Sequence, residues 1–126
     1  MRKLVLLLTI ALLQLGAQTA PGTYTGTWSG GASGDFRLVL TEADKGDWKA
    51  EVVFTLGTDE VKTKVTSVKV DGNKITVIYQ YDLQGTQLQS NVTGEFKGKV
   101  IEGTYKATSV GDGAAVDEGT WKVSAK

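Results

Sequence analysis

Near its start this chain reads Gly22-Thr-Tyr-Thr-Gly-Thr-Trp28, and near its end Glu118-Gly-Thr-Trp-Lys122. A third version of the pattern, Glu102-Gly-Thr-Tyr-Lys106, stands between them. In each, a glycine precedes an aromatic by two positions, so in a strand both face the same side of the sheet. That spacing suits a small barrel, in which a ring lies over bare backbone on the neighbouring strand. Copies at both ends predict that the first and last strands pair and close the sheet.

Between these strings, apolar and polar residues alternate in short runs separated by Gly, Asp and Asn, and nothing after the first residues has a helical period. The alternation predicts eight strands: Thr23–Ser29, Asp35–Thr41, Trp48–Leu56, Glu60–Val70, Lys74–Tyr81, Leu88–Phe96, Ile101–Thr108 and Gly119–Ser124. Within Glu60–Val70 the phase changes. Val61, Thr63 and Val65 share one face and Val68 and Val70 the other, which predicts a bulge near Thr66-Ser67. Asp71-Gly72-Asn73 is the strongest hairpin turn in the chain. The expected fold is all-β: a single eight-stranded antiparallel up-and-down barrel, whose interior is either filled by side chains or holds one small ligand.

Met1-Arg2-Lys3, the apolar stretch Leu4–Leu15 and the small pair Gly16-Ala17 have the layout of a secretory signal peptide. The apolar part is shorter than the ~20 residues of a spanning helix. Cleavage is expected after Ala17, with Thr19 or Ala20 as alternatives, leaving residues 18–126 as one barrel domain that is exported, periplasmic or extracellular, without a membrane span. A lipid-anchored form would require a cysteine at the cleavage site, and the chain has none. Acidic and basic residues balance at 14 each, and loss of Arg2 and Lys3 with the leader makes the remainder slightly acidic. Such a surface does not suit nucleic acid.

In an up-and-down barrel successive connections alternate between the two ends. Gly30–Gly34, Gly57–Asp59, Asp82–Gln87 and Ser109–Glu118 fall at one end, and the tighter Glu42–Asp47, Asp71–Asn73 and Lys97–Val100 at the other. Trp28, Phe36, Phe54, Tyr79, Tyr81, Tyr105 and Trp121 lie in the strand halves nearer the longer connections. Tyr24, Trp48 and Phe96 lie toward the opposite end. A ring-lined mouth opposite a closed base is the expectation, with those seven aromatics as ligand contacts. The mouth segments are acidic and contain no Lys or Arg, so Asp82 or Asp112 would select a cation or amine.

The chain has no His and no Cys, which removes Ser-His-Asp, Cys-His and thiolate chemistry and nearly all zinc sites. Asp112-Gly-Ala-Ala-Val-Asp117 lacks the alternating pattern of a calcium loop. No inward carboxylates adjoin one another, so no catalytic residue, metal or cofactor is expected. Asn91-Val92-Thr93 matches a glycosylation acceptor, a triplet common by chance.

Gly26-Thr-Trp28 resembles the Gly-x-Trp signature of lipocalins and the equivalent turn of avidin-type barrels, families that bind small ligands inside eight-stranded barrels. Ser29-Gly-Gly-Ala-Ser-Gly34 lacks the asparagine that holds biotin in avidins, so the resemblance implies a barrel rather than biotin. The series Gly26-Thr-Trp-Ser-Gly30, Phe36-Arg-Leu-Val-Leu40, Val68-Lys-Val-Asp-Gly72, Ile101-Glu-Gly-Thr-Tyr105 and Gly119-Thr-Trp121 resembles small exported bacterial β-domains. These occur alone or ahead of peptidase or α/β-hydrolase domains. The expected function is a non-catalytic binding module for a small apolar or aromatic ligand. The alternative is a solid-cored scaffold contacting a protein, an envelope polymer or a second copy of itself.

Overall fold

Alternating β-branched and aromatic residues, punctuated by glycine turns, form nine antiparallel strands in one sheet. A computed structural model describes residues 19–44 and 46–126, and among these there is no helix. The strands are β1 (Gly22–Ser29), β2 (Ser33–Asp44), β3 (Asp47–Leu56), β4 (Asp59–Lys62), β5 (Lys64–Asp71), β6 (Lys74–Leu83), β7 (Thr86–Lys97), β8 (Val100–Ser109) and β9 (Ala115–Ala125). Their order, β4-β3-β2-β1-β9-β8-β7-β6-β5, curls into a nearly closed barrel. The expected leader, residues 1–17, lies outside the described residues.

The terminal glycine–aromatic strings meet as expected. β1 pairs with β9, placing Trp28 directly opposite Trp121. Each indole reaches away from that join, past a glycine on the next strand, to a carbonyl on the strand beyond. Trp28 passes Gly34 of β2 and donates to the Thr55 carbonyl of β3 at 3.0 Å. Trp121 passes Gly103 of β8 and donates to the Thr93 carbonyl of β7 at 3.0 Å. A Cβ on Gly34 would overlap the Thr55 carbonyl, and one on Gly103 the Thr93 carbonyl. Only glycine permits so close an approach.

The count of eight needs correction. The expected Glu60–Val70 strand is divided at Thr63 into β4, which pairs with β3, and β5, which pairs with β6. A strand that must join the two edges of a curled sheet changes partner part-way. Thr63 marks the change, its Oγ1 donating to the Val52 carbonyl of β3 at 2.7 Å. The chain does not reverse there, since β4 runs antiparallel to β3 and β5 antiparallel to β6 within one alternating sheet. Every later connection therefore keeps its expected end. The bulge also falls where the phase change placed it, with the β5–β6 register shifting between Val65 and Ser67.

One half of the interior is solid. Leu38, Leu40, Ile75, Val77, Phe96 and Ile101 are each at most 2% exposed, and Tyr24 packs edge-on against Phe96 with centroids 5.5 Å apart. The residues ahead of β1 cross beneath this half. Thr19 donates to the Gly72 carbonyl of the β5–β6 turn from its amide at 3.3 Å and its hydroxyl at 2.9 Å. The Tyr24 hydroxyl donates to the Ala20 carbonyl at 2.7 Å. This end is a closed base.

Candidate functional site

The opposite half, toward the connections after β1, β3, β6 and β8, is hollow. A cavity of about 280 Å³ lies there, reaching Gly31 and Ala32 of the β1–β2 connection and Val116 at the start of β9. Strand alternation puts the large side chains around it. Trp28 and Phe36 come from β1 and β2, Phe54 from β3, Tyr79 and Tyr81 from β6, Tyr105 from β8 and Trp121 from β9. Leu56, Leu83, Leu88, Val92 and Ala107 add to the apolar wall.

Five of the rings form a connected set, and Phe36 pairs with Trp121 at 5.4 Å. Trp28 meets Phe54 at 5.8 Å and 86°, and Tyr105 at 5.9 Å and 85°. Phe54 meets Tyr81 at 5.1 Å and 80°, and Tyr81 lies 5.8 Å from Tyr79. Edge-to-face packing matches the positive rim of one ring to the negative face of the next, and adds about 0.5–1.5 kcal/mol per pair beyond area burial. The pairs around Trp28 and Phe54–Tyr81 are nearly perpendicular and Tyr79–Tyr81 is tilted at 37°, so the wall offers faces as well as edges.

Few polar side chains reach this wall, and no buried side-chain polar atom among the described residues lacks a partner. Ser90, 2% exposed, stands opposite Tyr79 in the β6–β7 ladder. Burial pushes the Tyr79 hydroxyl well above its ordinary range, and the neighbouring Ser90 hydroxyl offsets part of that. The Tyr105 hydroxyl donates to Asp117 Oδ2 at 2.8 Å. Burial first, and then that bond and the Asp117 charge, hold Tyr105 protonated far above the usual phenol range. Tyr81 is raised too, by burial and by the charge of Asp117. The other Asp117 oxygen, Oδ1, accepts the Gly31 amide at 2.8 Å, fastening the β1–β2 connection to β9.

All seven aromatics proposed from sequence line this one cavity, but the two carboxylates proposed with them do not. Asp82 is exposed, because β6 continues through Leu83 and its alternation turns Asp82 outward beside Tyr81. Asp112 is exposed in the β8–β9 connection, where its Oδ1 accepts the Ala114 amide at 3.0 Å and stabilises the turn. Asp117 lines the cavity instead. The expectation put Asp117 in a loop, yet β9 starts at Ala115. Carrying the Trp121 and Gly119 face back by one more alternate position would have found it. The mouth is also less loop-framed than expected. The strands run on until only the connections after β1 and β8 exceed a tight turn.

No known family model, curated protein or solved structure matches this chain. Its architecture, an all-β and nearly closed barrel, is compatible with the expected barrel domain. Among the described residues no group of acidic side chains is placed to hold a metal ion, and no helix is long and apolar enough to cross a membrane.

Proposed function

We propose that this protein is an exported, non-catalytic barrel that binds a small apolar or aromatic ligand in the hollow half of its interior. One observation carries the reading: a ring-lined cavity of about 280 Å³ above a solid base. A cavity of roughly 150 Å³ accepts benzene, so this one suits a ligand of one or two rings, or a short branched chain. Apolar burial supplies the affinity, and a few polar groups supply orientation. The leader-like residues 1–17 support export. The lack of His and Cys, and the single carboxylate in the cavity lining, support binding rather than turnover. A half-empty interior favours this reading over the solid-cored scaffold.

Trp28 and Trp121 line the cavity and report on its occupancy. Titrating the protein with a panel of small aromatic and branched aliphatic compounds should quench or shift their fluorescence saturably. Ala107 is buried and lines the cavity, so Ala107→Leu extends a side chain into the space. We expect this variant to weaken binding at least about tenfold while stability holds or rises by about 0.5–2 kcal/mol, as cavity filling usually does. Silence across the whole panel, or unchanged affinity in the filled variant, would overturn the proposal.

A further inference from the structure

The polar content of the cavity narrows the ligand class. Asp117 is the one charged side chain in the lining, and no Lys or Arg accompanies it. Among the described residues the single ion pair is Lys97–Glu102, far along the strands toward the base, so no described cation pairs with Asp117. The connections around it, Gly30–Ala32, Gly57–Thr58, Gln84–Gly85 and Val110–Ala114, contain no basic residue. The charge is felt within the site: it helps raise both Tyr81 and Tyr105.

Both Asp117 oxygens already accept a hydrogen bond, one from Tyr105 and one from Gly31. No buried side-chain polar atom among the described residues lacks a partner. The site thus presents negative charge and ring faces, with the lone pairs left on one carboxylate as its main charged acceptors. A primary ammonium is strongly hydrated and carries three N–H donors, more than the lone pairs left on one carboxylate satisfy among apolar rings. A quaternary ammonium has no N–H to satisfy, is attracted to aromatic faces and needs only a nearby anion.

We infer that the ligand carries a quaternary ammonium group, seated against Trp28, Phe54, Tyr81 and Tyr105 beside the Asp117 carboxylate. This rests on the cavity being a ligand site, as proposed above. The aromatic or branched body of the ligand occupies the apolar wall formed by Leu88, Val92 and Ala107.

Two probes of the same shape test the inference: phenyltrimethylammonium, and its uncharged counterpart tert-butylbenzene. Affinities are read by tryptophan fluorescence and calorimetry on the unmodified protein at two salt concentrations. The cation should bind at least about tenfold more tightly, in line with cation–π attraction plus one adjacent carboxylate. Asp117→Asn should lower the ratio of the two affinities several-fold, leaving only the share that the rings supply. If tert-butylbenzene binds as well as the cation, the ligand-binding reading stands and the ammonium inference is wrong. If neither probe binds at saturating concentration, both are wrong. A cation preference that survives Asp117→Asn undiminished also overturns the role given to that carboxylate.

Discussion

Tyr79 and Tyr105 show at the level of single residues how a hollow barrel treats an ionisable ring. Both phenols are held protonated above the ordinary value of about pH 10, Tyr79 chiefly by burial and Tyr105 by burial together with Asp117. A folded-state pKa above the unfolded one gives stability that is complete below the unfolded value and disappears as pH rises through the folded value. Stability should therefore fall as pH climbs beyond about 10, and phenolate absorbance should show late-ionising tyrosines that appear together with unfolding. Urea midpoints measured across that range should fall less steeply in Tyr79→Phe. Ionisation of every tyrosine near pH 10 in the native protein would contradict this assignment. The aromatic contacts were legible from alternation alone, because a ring and the strand that carries it obey the same period. The carboxylate was not. Asp117 looked like loop because glycines and acidic residues surround it, and its strand is recognisable only once Trp121 fixes the inward phase.

Secondary elements repeat the contrast between what periodicity encodes and what closure imposes. The paired ends of the sheet follow from two short glycine–aromatic strings, and the bulge at Thr66 follows from a slipped phase. The division at Thr63 follows from neither. It arises because β3 and β6 cannot both be served along one straight strand, a constraint set by curvature rather than by local composition. Thr63 fastens this corner through its hydroxyl to the Val52 carbonyl. Thr63→Val keeps the branched shape and deletes the donor. It should lower stability by about 0.5–1.5 kcal/mol in urea denaturation, the usual net worth of such a bond. Amide exchange should accelerate selectively in β4 and β5. Equal stability of the two proteins, with unaltered exchange there, would mean that the corner holds without this bond.

Across the whole molecule, a solid end and a hollow end share one sheet but separate their duties. Packing of Ile101, Leu38 and Phe96 stabilises the base, while the rings at the other end leave room. Thr19 and Ala20 belong to the first of these, tied to Gly72 and Tyr24. A chain beginning at Pro21 should be less stable than one beginning at Gln18 by about 1–2 kcal/mol, from the loss of these bonds. Its affinity for cavity probes should not change, and a parallel loss of affinity would show that the two ends are coupled. The β1–β9 pairing has one further consequence. Tyr24 stands opposite Ala125, and the Lys126 amide donates to the Thr23 carbonyl at 2.9 Å, so the start of β1 and the end of β9 emerge side by side beneath the base. A short linker could splice those ends, and the polypeptide could be reopened at the Gly98-Lys99 turn. Such a circular permutant would carry both new termini on the side remote from the cavity, leaving the rim unencumbered for immobilisation or fusion.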